Sequence, residues 1–493
     1  MNGSWGVRRS VVVSGRHCLS LVGALLAALA LPAGARADLL GTFGTSARSI
    51  SQAGAGAALA EGYPAVTSCP ATMAFGRPSL GVSFLGGPNR LGIALAERPA
   101  GYDPPALGGS SPVVPYEYRL RTREDPDDPH DLLGFLVGVS AEPGLPWLRL
   151  GLTAYVPLVG IGKQFTYFDD EREQYFSNTL HSTLYDSRLT ALQFALGMSV
   201  RVRSWLAIGA ALRFSVNSES HARVFLPSAA DQSVQEMNMQ VTSGLEPGAI
   251  VGLAIRTLHD RLHLAFTFRD ELVMSFEGYN EVQIKGFEGT AQYPFYQPMD
   301  FVITYSPREV VWATSLQTDP VDLSLDLTWS QWSHFRDGHN TNQDFSDTLG
   351  VSLGAELRTW GRARLLGGLG WRPSPVPDQT GRTNFVDNDM VRIGLGAAWD
   401  VDVLGNNLEL ALFSQLHLAV DRQTVKERLD VHPPCAAGVM VVCDEVPDDL
   451  LDPYHGQPLA TASGLQTGNP GFPGYSSGGW VGIAGIQAQW RYP

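Results

Sequence analysis

The chain has 493 residues, a formal charge of −14, 44% hydrophobic and only 17% charged residues. That acidity argues against a nucleic-acid partner. The length would divide a soluble chain into two or more domains, yet no Gly/Ser- or Pro-rich linker separates two halves. The 53 glycines point instead to one large closed sheet.

Residues 1–37 read as a secretory signal. Arg8, Arg9 and Arg16 make a basic start, Leu19 to Leu31 an apolar core too short to span a bilayer comfortably, and Ala35-Arg36-Ala37 a cleavage site. The exported chain is then expected to start near Asp38. Cys18 precedes most of the apolar core, so lipidation is not expected. After Ala37 no apolar run has the length of a membrane helix.

Residues 38–77 follow as a Gly/Ala-rich stretch of irregular backbone, read as a hatch, or plug, with a periplasmic tail as the alternative. It opens Gly41-Thr42-Phe43-Gly44-Thr45-Ser46-Ala47-Arg48-Ser49-Ile50, continues through small residues from Gly54 to Ala60, and reaches Ser68-Cys69-Pro70-Ala71. Irregular backbone at membrane depth is tolerated only where protein or water surrounds it. Having little apolar bulk, it is expected to hold to the wall through polar contacts, with Arg48 reaching carboxylates such as Glu356 or Glu409.

Residues 78–493 alternate apolar and polar with period two, the signal of strands. In 191–203, Leu192, Phe194, Leu196, Met198, Val200 and Val202 share one face, and Gln193, Gly197, Ser199, Arg201 and Arg203 the other. In 321–333 Leu323, Leu325, Leu327 and Trp329 oppose Asp322, Ser324 and Asp326. In 408–420 Leu410, Leu412, Leu416 and Leu418 oppose Glu409, Gln415 and His417. The closing 480–492 sets Trp480, Ile486 and Trp490 against Gln487, Gln489 and Arg491. An apolar face with aromatic ends and a polar opposite face suits a transmembrane barrel strand.

The predicted strands are 79–98, 132–142, 147–157, 188–203, 205–216, 245–257, 262–276, 297–317, 321–333, 348–360, 363–372, 389–400, 407–420 and 480–492. These make about fourteen antiparallel strands, an even number, joined alternately by short turns and long loops. Short periplasmic turns and long external loops are the asymmetry of outer-membrane barrels. Much of the acid lies in candidate loops, such as Glu124-Asp125-Pro126-Asp127-Asp128, and reads as solvated surface. The sharper alternative is divalent cation binding near lipopolysaccharide. Cys435 and Cys443 share one loop of an exported chain and are expected to form a disulfide, with zinc the weaker alternative; Cys69 stands single.

By face, Arg213, Arg269 and Arg392 point inward, where each needs an acidic partner or an anionic ligand. They are candidate ligand-binding residues, the alternative being a charge network that braces hatch to wall. No catalytic set forms: Ser414 and His417 lie three apart in one strand, hence on opposite faces. No phosphate-cradling loop or tight His/Cys metal spacing appears, so no metal, cofactor or enzymatic activity is expected.

The combination resembles the FadL/TodX family of outer-membrane transporters. The resemblance is carried by Phe43-Gly44-Thr45-Ser46-Ala47-Arg48-Ser49, by the small-residue run after it, by Cys69-Pro70-Ala71 where the family has Asn-Pro-Ala, and by Trp329-Ser330-Gln331-Trp332-Ser333. It implies an all-β, fourteen-stranded barrel with an N-terminal hatch in the lumen. It implies passive uptake of hydrophobic small molecules (long-chain fatty acids or related lipids or hydrocarbons), gated by the hatch. It also implies sideways release through a kink in the third strand, for which Pro157 and Gly160 are the candidates; the alternative is that Pro157 merely ends the strand. External loops of the family form a capture groove, and Phe165, Tyr167, Phe168, Tyr175 and Phe176 are candidates. The expected setting is a Gram-negative outer membrane with its lipid and lipopolysaccharide, with the protein a monomer. The rival functions are a general diffusion porin, a lipid-acting enzyme and a structural or adhesive barrel.

Overall fold

The computed structural model describes residues 39–96, 131–159, 182–183, 192–226, 236–284, 295–336, 341–359, 362–381, 383–403, 405–426 and 474–492. The first strands are β1 (Ser79–Gly87), β2 (Asn89–Leu95), β3 (Leu132–Ala141), β4 (Leu148–Pro157), β5 (Ser182–Thr183) and β6 (Gln193–Arg203). Next come β7 (Leu206–Leu226), β8 (Glu236–Thr257), β9 (Leu262–Arg269), β10 (Leu272–Ile284), β11 (Phe295–Ser306) and β12 (Arg308–Gln317). The last are β13 (Val321–Gln331), β14 (Thr348–Arg358), β15 (Ala363–Arg372), β16 (Phe385–Val386), β17 (Met390–Val403), β18 (Asn406–Val425) and β19 (Gly474–Arg491).

Among the described residues fourteen of these close a ring. From β1 the order runs β3, β4, β6, β7, β8, β9, β12, β13, β14, β15, β17, β18 and β19, and β19 returns to β1, every pair antiparallel. Closure leaves the ring no open edge. Burial follows the alternation. Leu196, Leu212, Phe266, Trp312, Leu325, Leu353, Leu369, Leu395 and Leu412 are exposed on the outside, while Ser199, Asp322, Asp326, Glu356, Glu409, Gln487 and Gln489 are buried inside. The first set meets lipid and the second the lumen. No described helix is long and apolar enough to cross a membrane.

Three strand expectations need correction. The first strand is interrupted at Pro88, with β1 and β2 on either side. The strand expected over 262–276 leaves the wall after Arg269. Asp270 there turns the chain, its Oδ1 accepting from the Glu271 amide (3.0 Å) and from Arg308 Nε (3.1 Å). The strand expected over 297–317 breaks at Pro307, which has no N–H to donate to a ladder. The outer pieces, β10 and β11, pair with each other, and β10 runs parallel to the outer part of β7. Each expected strand therefore contributes one wall segment, and the ring keeps its count.

Residues 39–75 form short helical turns that touch strands on every side of the ring, from β4, β6, β7 and β8 round to β15, β17, β18 and β19. The core of the protein is the seam between this plug and the wall. Phe43, Ile50, Tyr63, Val66 and Met73 are almost wholly buried there, so the expectation of little apolar bulk is corrected. Wall glycines make the room. A Cβ at Gly138 would lie 2.1 Å from the Tyr63 ring, one at Gly81 2.3 Å from it, and one at Gly368 2.3 Å from the backbone of Gln52.

A cavity between hatch and wall

The hatch motif is a helix cap. Ser46 caps the turn Ala47–Ser51: its Oγ accepts from the Ser49 amide (3.3 Å), and Ser49 Oγ accepts from the Ser46 amide (3.1 Å), which satisfies two otherwise orphaned donors. Gly44 must be glycine, because its φ is +118° and a Cβ would sit 2.6 Å from Ser49 Oγ. Phe43 packs against the His417 ring, the centroids 4.3 Å apart and the planes tilted by 40°. The Ala47 amide donates to Gln487 Oε1 (2.7 Å). Asp326 accepts from the amides of Gly56 (3.1 Å) and Ala57 (3.0 Å). Cys69 is fully buried, with its Sγ 3.9 Å from the Leu253 carbonyl oxygen. Pro70 opens the 3-10 turn Pro70–Phe75, and the Ala71 carbonyl accepts from Ser199 Oγ (3.0 Å).

Below this, toward the short turns, a charge network ties hatch to wall. Arg48 meets Glu356 at 2.8 Å. Arg364 reaches Glu356 (3.3 Å), Asp400 (3.2 Å) and Glu409. Arg491 reaches Glu409 (2.7 Å) and Asp400 (3.4 Å). Glu356 and Glu409 are nearly inaccessible to solvent, and such groups persist as charges only when paired and hydrogen-bonded.

Above the hatch lies a cavity of about 170 Å³. Arg213, Arg269 and Arg392 all line it, with Arg372, Glu309 and Asp326. Arg269 pairs with Glu309 (2.9 Å) and donates to the carbonyls of Thr67 and Ser68 (3.2 Å each), bracing hatch to wall. Arg392 donates to Ser352 Oγ (2.9 Å) and stands beside Gly54. Arg213 donates to Ser306 Oγ (3.2 Å) and to the Asp270 carbonyl. A smaller cavity of about 60 Å³, lined by Gly41, Thr42, Trp332, Arg372, Arg392 and His417, adjoins it toward the mouth. Arg372 and Arg364 were missed in the sequence reading. They share the inward parity of β15 with Leu366, and that signal was available.

The mouth is partly closed by aromatics. Tyr305, Trp332, Phe335 and Phe345 are buried together with Val376, and Phe385 packs on them; Phe335 and Phe345 stack at 4.8 Å. Just past β18, Lys426 is buried and donates to the carbonyls of Thr383 (2.8 Å) and Gly381. Burial pushes its ammonium down to about 8. Pro157 is the last residue of β4, opposite Gly134, in a ladder unbroken from Leu150 against β3. Gly160, Cys435, Cys443 and the groove candidates Phe165, Tyr167, Phe168, Tyr175 and Phe176 lie outside the described residues. No cluster fit for a metal occurs among the described residues.

Residues 171–429, more than half of the chain, match the family of outer membrane protein transport proteins (OMPP1/FadL/TodX), and the chain belongs to that family. Its fold is similar to that of a FadL homologue from Pseudomonas aeruginosa (TM-score 0.53, 13% identity, 93% of this chain and 99% of that one covered). It is also similar to the P. putida toluene transporter TodX (TM-score 0.48, 11% identity, 92% and 99% covered). No curated protein sequence matches it. The closed barrel with lipid-facing apolar residues is thus an outer-membrane transport protein.

Proposed function

We propose that the protein takes up hydrophobic small molecules, long-chain fatty acids or related lipids and hydrocarbons, passively across the outer membrane. The observation that carries this reading is the cavity above the hatch. Its five arginines, Arg48, Arg213, Arg269, Arg372 and Arg392, suit an anionic head group, and the aromatic mouth beside it suits an apolar tail. The hatch acts as the gate: it fills the lumen below the cavity, which counts against a general diffusion porin.

Sideways release is proposed past the outer end of β4, at Pro157, beyond the ladder that joins β4 to β3. The inner wall there is apolar, with Leu85, Leu132, Leu136 and Tyr155 buried in one cluster, and β4 ends at Pro157. Lipid and lipopolysaccharide surround a monomer. The test pairs planar-bilayer recording with uptake of radiolabelled oleate by cells. Low conductance with oleate uptake is expected. An open-porin conductance without uptake of any hydrophobic compound sinks the reading.

A further inference from the structure

We propose that residues 373–381 and 383–389 form a strap across the mouth that an anionic amphiphile loosens on entering the cavity, with Arg372 as the shared residue. The inference rests on the reading that the lumenal cavity takes the ligand.

The strap leaves β15 at Arg372 and returns at β17. Most of its ties are neutral or made to backbone. Arg422 donates to the Val376 carbonyl (2.9 Å) and Lys426 to that of Thr383. Asn388 Nδ2 donates to the carbonyls of Val420 (2.9 Å) and Ser477 (3.0 Å). The Ser346 amide donates to the Pro375 carbonyl (2.9 Å). The Arg422–Asp378 pair (3.2 Å) is solvent-exposed on the Asp378 side, where such pairs contribute little.

Asp387 differs. Its side chain is wholly buried, and Arg372 grips it with two bonds, Nη2 to Oδ1 (2.7 Å) and Nη1 to Oδ2 (3.1 Å). The same guanidinium is one-fifth exposed (20%) and lines both cavities, beside Arg392. A carboxylate arriving there competes with Asp387 for Arg372. If the ligand wins, Asp387 is left as a buried charge without its cation, a strongly unfavourable state. That state is relieved by lifting this end of the strap into water. Trp332 lines the smaller cavity and belongs to the aromatic cluster on which Val376 and Phe385 of the strap pack, so an apolar tail would press on the same element. By linkage the effect is reciprocal: a lifted strap raises affinity for the amphiphile as much as the amphiphile lifts the strap.

The test is hydrogen–deuterium exchange of the full chain in detergent, with oleate and its neutral analogue methyl oleate as probes and oleate binding measured separately by equilibrium dialysis. Oleate is expected to speed exchange across the strap amides by about fivefold or more, the lower end of coupling between two sites; methyl oleate should not. Asp387→Asn should speed strap exchange without ligand and abolish the oleate response while oleate still binds. If that variant does not fold, Arg372→Lys, which keeps the charge and loses the two-pronged grip, should loosen the strap in the same way. Bound oleate with unchanged exchange, an equal response to methyl oleate, or an intact response in the variants overturns the strap. Failure of the unmodified protein to bind oleate overturns the transport reading first, and the strap with it.

Discussion

The two halves of the lumen are built on different terms. In the lower half Arg48, Arg364 and Arg491 face Glu356, Glu409 and Asp400 in one interlocked set, and the hatch is fitted to the wall closely enough that glycine is the only residue with room. In the upper half arginines line open space, and Arg213 and Arg392 donate to serine hydroxyls and a backbone carbonyl. Charge in the lower half holds the molecule together. Charge in the upper half lines a cavity, and there Arg269 also ties the hatch, through the Thr67 and Ser68 carbonyls.

The contrast can be broken at several points. Deleting residues 38–77 should have the largest effect, raising conductance in planar bilayers to that of an open pore; unchanged conductance would mean that the hatch does not fill the lumen. Arg364→Gln should cost about 3 kcal/mol, the low end for breaking a buried pair, because Glu356 and Glu409 lose a shared partner but keep Arg48 and Arg491. The folded band of the barrel on unheated gels should then be lost at a lower temperature.

Leu196→Arg, on the lipid face, should cost about 2–4 kcal/mol at mid-membrane and impair assembly far more than Gln193→Arg on the lumenal face. Equal tolerance of the two would refute the face assignment. Arg392→Gln should weaken oleate binding about tenfold, equivalent to about 1.4 kcal/mol, while thermal stability stays within about 0.5 kcal/mol. A stability loss like that of Arg364→Gln would make the upper half a brace too. Pro157→Ala should act most subtly, leaving conductance low while slowing oleate release into the membrane; unchanged release would move the exit elsewhere.

What could be read in advance follows the range of the forces involved. Alternation is local, so the wall strands, their faces and the inward parity of Arg213, Arg269 and Arg392 were visible. Arg48 reaching Glu356 was readable because a charged residue in a small-residue plug has few other places to go. The departures of β10 and β11 were harder. Pro307 announces one, but nothing in Phe268-Arg269-Asp270-Glu271 breaks the alternation strongly enough to announce the other. The seating of Tyr63 was not readable, since it depends on Gly81 and Gly138 meeting across a pair of strands that lie far apart in sequence. The strap's grip on Arg372 through Asp387 is of the same kind, a contact made only once the mouth has folded back on itself.

The inward glycines have one more consequence. Glycine is a poor strand former, and in a strand interior it leaves nothing to pack. A wall with Gly81, Gly138, Gly368 and Gly394 turned inward is therefore unfinished on its inner surface, and the side chains and backbone of the hatch complete it. The plug is then part of the barrel's own masonry. A ring assembled without it should be softer as well as open, and insertion into the membrane should go more slowly or less completely until the N-terminal segment is seated.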